Sequence, residues 1–252
     1  KCLVEDDIHI AESVLLKGHL AFHKGEYKKA LSLYNKALNL LNKADPEKKI
    51  YRYRRSVILS NIGRVYNHAA YAQHDYMKAE LYFKHALTLI KKISDQPSVD
   101  QAFCLTAISS ACTKQNRHDD ARSTLDQAQA IYQTLYQNEP KTEKGILYEK
   151  MAEFHRAQGN LEEAKKHFES ALEMYRMVGN RFKLANGLLR YSHFCELNEA
   201  VKLCQDARNI FRELQNSLGE TDATAHIHEH ISAAKKQAEK DMAAVKKNPA
   251  YD

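Results

Sequence analysis

Two histidines near the C-terminus have a spacing that could bind a metal ion. In HIHEH (226–230), His226 and His230 are four residues apart, so a helix places both on one face. That is a two-ligand spacing for zinc, but His228 points elsewhere and the HExxH order of metalloproteases is absent. The pair also flanks an apolar stripe, where half-buried histidines are common. We therefore favour a structural role and predict no bound metal.

The segment KKIYRYRR (48–55) interleaves cations with tyrosines, as nucleic-acid-binding surfaces do. Lys48, Arg52 and Arg55 share a helix face. A basic, exposed helix end gives the same pattern, and the net charge of +6 is modest and spread along the chain. We favour the exposed helix end and keep RNA binding as an alternative.

The cysteines and carboxylates form no recognisable catalytic set. The five cysteines (2, 104, 112, 195 and 204) have no CxxC spacing, and four lie in helical patterns, where a thiol behaves as a small apolar residue. This usage indicates a reducing, cytoplasmic compartment. The sequence shows neither a glycine-rich phosphate loop nor a nucleophile elbow, so we predict no catalysis and no cofactor. An enzyme acting on a bound partner would need a carboxylate beside it, such as Glu149 or Glu153.

The elements that must position any site are helices. Eight glycines, four prolines and no tryptophan make a helical composition, and no apolar run approaches the ~18–20 residues of a membrane span. In QGNLEEAKKHFESAL (158–172), Ala164, Phe168 and Ala171 share one helix face as small, large, small. Small residues let a neighbouring helix approach, and the ring fills the gap. The stripe recurs, each time after a turn and another helical segment, at Ala30, Tyr34, Ala37; Ala79, Phe83, Ala86; Ala121, Leu125, Ala128; and Ala200, Cys204, Ala207.

These five helix–turn–helix units resemble the tetratricopeptide repeat, whose pattern is Leu-Gly-x-x-Tyr and then Gly-x-Tyr-x-x-Ala-x-x-x-Phe-x-x-Ala. SNIGRVY (60–66) and GEYKKALSLYNKAL (25–38) match closely, and the resemblance covers roughly residues 10–215. It implies an all-α, right-handed superhelical array of about five helix pairs with a C-terminal capping helix.

The repeat lengths depart from the family standard of about 34 residues. The first alanines of the stripes, at 30, 79, 121, 164 and 200, are spaced by 49, 42, 43 and 36. The two middle spacings resemble the roughly 42-residue repeats of kinesin light chains. For the longer second unit we predict one helix from about 46 to 72, capped by Asp45 with Pro46 at its first position. Its extra turn, with His68, Tyr71 and His74, would protrude from the array.

The predicted organisation is a repeat array over 1–218, a capping helix over 219–247 and a tail over 248–252. Thr221 or Asp222 would cap the last helix, and an apolar stripe from Ile227 to Val245 would cover the array. The tail contains Asn-Pro-x-Tyr, weak evidence for a turn that phosphotyrosine-binding domains read. The chain begins without methionine and in mid-pattern, so we expect a piece of a longer protein. The five units are about 8–45, 46–95, 98–138, 141–178 and 180–216.

The resemblance also implies a concave groove, lined by the first helix of each pair, that holds a peptide or a partner's helix. The family's groove-facing positions fall here on His19, His23, Asn61, Arg64, Asn67, His68, Ser110, Thr113, Lys114, Lys150, Glu153, Arg156, Asn186, Leu189 and His193.

One family subtype does not fit. Chaperone-binding members grip a C-terminal carboxylate with lysine, asparagine and arginine at five positions. This chain has Leu15, His19, Asn61, Phe103 and Ala107 there, so only Asn61 matches.

We therefore predict a non-enzymatic adaptor or scaffold that binds a peptide or helix of another protein in its groove, with self-association an open possibility. The alternatives are an RNA-binding helical repeat that uses the 48–55 face and a regulatory repeat protein that acts on its partner enzymatically.

Overall fold

The structure, a computed structural model, describes residues 2–43, 45, 47–68 and 70–246. Within these ranges it contains eleven α-helices and no strand. The helices are α1 Cys2–His23, α2 Tyr27–Leu41, α3 Lys49–Asn67, α4 Tyr76–Lys91, α5 Val99–Lys114, α6 His118–Tyr136, α7 Thr142–Ala157, α8 Leu161–Met177, α9 Arg181–Ser192, α10 Leu197–Glu213 and α11 Ser217–Lys246.

The chain divides into two compact units, the first made of residues 1–139 and 153–159 and the second of 140–152 and 160–252. In the first unit, α1 packs on α2, α3 on α4 and α5 on α6, and each pair also packs on the next. In the second unit, α8 packs on α9, α9 on α10 and α10 on α11. The predicted all-α fold of consecutive helix pairs with a C-terminal helix is confirmed. The division into five repeat units stays a prediction.

The turns inside the pairs are made where the sequence supplies residues that tolerate a positive φ. Gly25 between α1 and α2 has a φ of +75°, and Gly159 between α7 and α8 has a φ of +81°. Asn116 between α5 and α6 takes the same left-handed conformation, with a φ of 58°. The chain can therefore reverse within a few residues and bring consecutive helices side by side.

The small-large-small stripes form the contact between helices. All ten alanines of the five stripes are at most 1% exposed, and the large residues between them are buried as well. A glycine on the facing helix makes room for the ring in the second pair. A Cβ atom on Gly63 of α3 would lie 2.9 Å from Cε1 of Phe83 on α4. The repeat motif is thus a steric match between a small position on one helix and a ring on the next.

The predicted long helix over 46–72 is wrong at both ends. Helix α3 begins at Lys49, and Asp45 accepts a hydrogen bond from the backbone N–H of Glu47 instead of capping a helix; Pro46 lies outside the described residues. The helix ends at Asn67, and His68 has extended backbone angles. The chain then folds back, so that Tyr71 is 4% exposed and belongs to the core of the first unit. The segment after α3 therefore buries Tyr71 and does not continue as the predicted helical turn.

The C-terminal helix also differs from its prediction. Helix α11 begins at Ser217, not after Gly219, because the side chain of Asn216 accepts a hydrogen bond from the Gly219 N–H, 2.9 Å away. Ala223 and Ile227 are buried in the core of the second unit, but Ile231 and Ala238 are exposed, so the apolar stripe covers α10 only over its first turns. Side chains beyond 240, and the tail, lie outside the described residues. Neither α11 nor any other described helix is long and apolar enough to cross a membrane.

Candidate functional site

A pocket of about 340 Å³ opens in the first unit, where α1, α3 and α5 meet. These are the first helices of three consecutive pairs. The pocket brings together four of the predicted groove residues, His19 and His23 from α1 with Asn61 and Arg64 from α3. The other lining residues are Ser56, Val57, Ser60, Ile90, Asp100, Phe103 and Cys104.

Arg64 is the principal cation of this pocket. Its guanidinium carbon lies 4.9 Å from the centre of the Phe22 ring, and Nη1 donates a hydrogen bond to Oδ1 of Asn61 over 3.1 Å. The amide nitrogen of Asn61 donates in turn to the Val57 carbonyl, which fixes the direction of the accepting oxygen. Because the side chain is half-buried, the loss of solvation lowers the pKa of Arg64. The pocket therefore holds an oriented guanidinium that pays a solvation cost for its charge.

His19 stands beside Arg64 in α1. Burial, and then the positive charge of Arg64, lowers the pKa of this imidazole below its ordinary 6.5. Its Nε2 atom is buried and has no hydrogen-bond partner among the described residues. At neutral pH His19 is therefore a neutral ring, and its Nε2 atom is enclosed by the protein.

Seven of the eleven residues that line the pocket were not among the predicted groove residues. Val57 lies four residues before Asn61, Ser60 lies four residues before Arg64, and Phe103 lies seven residues before Ser110. Both spacings keep a residue on the same helix face. Extending the predicted face one or two turns towards each helix N-terminus would have found them. Asp100, at the start of α5, had no such signal.

Three other predicted residues bind one another. The Lys114 ammonium donates to the backbone carbonyl of Asn67 over 2.5 Å and to its side-chain oxygen over 3.2 Å. The Asn67 amide donates to the Ser110 hydroxyl over 3.4 Å. This cluster ties the end of α3 to the end of α5, so these polar groups serve the contact between the helices.

Four of the predicted contact residues are buried: Asn61, Ser110, Thr113 and Leu189. Leu189 is 6% exposed and packs in the core of the second unit. Thr113 is 9% exposed, and its hydroxyl donates to the Ser109 carbonyl of its own helix. Leu189 and Thr113 were carried over from the groove-facing positions of the family; a partner could reach little of either side chain, and the assignment stays a prediction.

The remaining predicted residues lie apart from the pocket. His68 follows α3 and packs against the rings of Phe22 and Tyr27, with centroid distances of 5.7 and 4.7 Å. Lys150 and Asn186 belong to the second unit, and the Asn186 amide donates to the Phe182 carbonyl of its own helix. Glu153 and Arg156, the last two predicted residues, lie on the C-terminal part of α7.

Two histidines of HIHEH, His226 and His230, pack against His193, which is one of the predicted groove residues. Ring centroids of His226 and His230 lie 5.1 and 5.2 Å from that of His193. Nε2 of His230 lies 3.0 Å from the Ser192 hydroxyl, which joins α11 to α9. Within the described part of the chain, no group of histidine, cysteine and acidic side chains has an arrangement that could hold a metal ion.

The arginines of the 48–55 segment are bound to protein groups. Arg52 pairs with Glu47, and Arg54 pairs with Glu12 over 2.5 Å. Arg55 is buried and donates to a backbone carbonyl of α2 over 2.6 Å. Arg55 therefore does not belong to an exposed basic face, whereas Lys48 is exposed, and RNA binding through this segment stays an untested alternative.

Two groups that could in principle take part in catalysis, the Cys104 thiol and the Glu149 carboxylate, are buried. Burial raises the pKa of the Cys104 thiol in the pocket to about 11, which makes it a poor nucleophile at neutral pH. Glu149, named above as a candidate carboxylate, is 3% exposed and pairs with Arg190 over 3.1 Å in the second unit.

Paired helices, buried alanine stripes and a pocket on the first helices define a helical-repeat protein. Family models of the tetratricopeptide repeat match residues 11–40, 54–134 and 147–178, which together make up more than half of the chain. The chain belongs to the tetratricopeptide repeat family. No curated protein matches it significantly by sequence.

Several solved structures are similar in fold. Aspartyl phosphate phosphatase F from Bacillus subtilis is 13% identical, with a TM-score of 0.64, over 90% of this chain and 57% of that one. The Rap conjugation gene regulator of plasmid pLS20, in complex with the Phr* peptide, is 16% identical, with a TM-score of 0.63, over 89% and 62%. A kinesin light chain-like protein from Podospora anserina is 16% identical, with a TM-score of 0.51, over 82% and 97%. This chain thus spans less than two thirds of the first two proteins.

Proposed function

We propose that this protein is a non-catalytic adaptor or scaffold that binds a peptide or helix of a partner protein, and that the pocket between α1, α3 and α5 is part of the binding surface. The observation that carries the proposal is the convergence of His19, Asn61 and Arg64, from two separate repeats, on one open pocket. The proposal places the protein in the cytoplasm, as its cysteine usage predicts.

The chemistry of the lining suits a polypeptide. Phe103, Val57 and Ile90 supply apolar contacts for a side chain, and the half-buried Arg64 supplies donors for a backbone carbonyl or an acidic group. The fold likeness to a Rap protein that was crystallised with a peptide supports a peptide as the occupant.

Phage display of random 12-residue peptides on the full chain tests the proposal. We expect the wild type to enrich a set of peptides, and we expect Asn61→Ala with Arg64→Glu to lower their affinity at least fivefold, because the change removes the donor and reverses the charge. Fluorescence anisotropy with synthetic copies of the enriched peptides measures the dissociation constants.

A matched control lies on the outer face of α2, where Asn35 and Lys36 are exposed. Asn35→Ala with Lys36→Glu makes the same chemical change away from the pocket and should leave the affinity within twofold. Because Asn61 is buried, melting curves of the pocket variant are needed to separate lost binding from lost folding. His23→Ala changes an exposed residue at the rim of the same pocket and so tests binding without a change in the core. Peptides that bind the pocket variant as tightly as the wild type would show that the pocket is not the binding surface.

A further inference from the structure

The environment of Arg64 differs from that of the other arginines near α3. No carboxylate pairs with Arg64 among the described residues; its hydrogen-bond partner is the neutral amide of Asn61. The three arginines at the start of the same helix have protein partners, which are Glu47 for Arg52, Glu12 for Arg54 and the Leu41 carbonyl for Arg55.

When a half-buried guanidinium has only an amide partner, the cost of removing its charge from water is poorly compensated. Burying a charge is costly unless it is paired, and a planar guanidinium suits a carboxylate because it can donate two parallel hydrogen bonds. Asn61 uses one Nη1 donor, and the Phe22 ring covers one face of the group. The arrangement fixes the guanidinium in place and leaves its other donors for a ligand.

The surroundings of Arg64 match an acidic side chain. His19 lines the same pocket as a half-buried ring and adds no carboxylate that would compete for the cation. Val57 and Phe103 can enclose the methylene groups of an aspartate or glutamate. Asp100 lines the same pocket without pairing with Arg64, and burial raises its pKa, which weakens its competition for the cation.

We infer that the pocket selects partner segments carrying an aspartate or glutamate side chain, whose carboxylate pairs with Arg64. The inference rests on the proposed function, since it names the class of peptide that the same pocket binds. It differs from the C-terminal carboxylate grip of chaperone-binding relatives, which this chain lacks at four of five positions. Arg64 acts as the specificity-determining residue.

Phage display tests the inference with peptides fused through their C-termini, so that no peptide presents a free terminal carboxylate. We expect the wild type to enrich aspartate or glutamate at one register position. Arg64→Gln, which keeps much of the side-chain volume, should abolish that preference, and Arg64→Glu should replace it by lysine or arginine. Lys36→Gln on the outer face of α2 is the control and should select the same peptides as the wild type.

Synthetic, C-terminally amidated peptides then quantify the contact. Exchanging the selected acid for its amide should weaken binding to the wild type about tenfold, the effect of a charge-assisted contact, and should change binding to Arg64→Gln less than twofold. Selection of peptides without an acidic position, or equal acidic enrichment by Arg64→Gln, would overturn the inference and leave the proposed function standing. If neither the wild type nor Arg64→Gln enriched any peptide, that result would instead count against the proposed function, and with it the inference.

Discussion

Replacing Arg117 by methionine is expected to lower the free energy of unfolding by roughly 2–4 kcal/mol at pH 7, because it strands a buried carboxylate. Glu80 on α4 is 5% exposed and accepts hydrogen bonds from both terminal nitrogens of Arg117, over 2.6 and 2.9 Å. Lys84 and Gln115 donate to the same carboxylate and will offset part of the loss. Urea unfolding followed by circular dichroism measures the change.

The pH dependence gives a second test of this network. Burial alone would raise the pKa of Glu80, but hydrogen bonds from Arg117, Lys84 and Gln115 outweigh it and lower the pKa from 4.5 to about 2. A depressed carboxyl pKa adds stability that is complete above the unfolded value and is lost as the pH falls. In the wild type, the stability that Glu80 adds should therefore be complete above about pH 4.5 and should be lost as the pH falls from 4.5 to about 2.

Two variants control for the loss of side-chain packing. Glu80→Gln combined with Arg117→Met leaves no charge buried and should be more stable than Arg117→Met alone. Arg212→Met breaks an ion pair with Glu220 whose members are 59% and 33% exposed, and it should cost less than about 1 kcal/mol. If Arg117→Met cost no more than Arg212→Met, the Glu80 network would contribute little to stability.

Enlarging Ala164 to leucine is expected to cost about 1–3 kcal/mol, because the residue is fully buried between helices and the larger side chain overpacks the contact. Ala171, on the same stripe, should behave alike. Thermal melts and urea unfolding measure the loss. Hydrogen exchange should show the loosening first in α8 and in the helices it contacts, since each repeat depends mainly on its neighbours.

The control is the adjacent Glu163→Leu. Glu163 is exposed, and its pair with Lys166 is a surface ion pair, so the change should stay within about 0.5 kcal/mol. A cost for Glu163→Leu that equals or exceeds that of Ala164→Leu would contradict the tight contact. Faster exchange in α1 to α3 of the first unit would contradict its local character.

Much of the fold could be predicted because its determinants are local. The stripe of Ala164, Phe168 and Ala171 defines the buried face of one helix from residues seven apart, and Gly159 before it supplies the turn. The same logic applied to each repeat predicted ten helices in pairs and a final helix, and all eleven are present. The polar positions that line the pocket, His19, Asn61 and Arg64, were placed on the first helices by the resemblance to the tetratricopeptide repeat.

The features that could not be predicted depend on residues far apart in the chain. Helix α3 ends at Asn67 because Tyr71 packs beside Tyr27 of the preceding pair, 6.2 Å between ring centroids. Whether a polar residue faces a ligand or another helix is decided in the same way. Lys114 is engaged by Asn67, 47 residues away, whereas the guanidinium of Arg64 meets no carboxylate in the described structure. Helical periodicity by itself determined which residues share a face, and only the packing of one pair on the next decided which of those faces remain open to a partner.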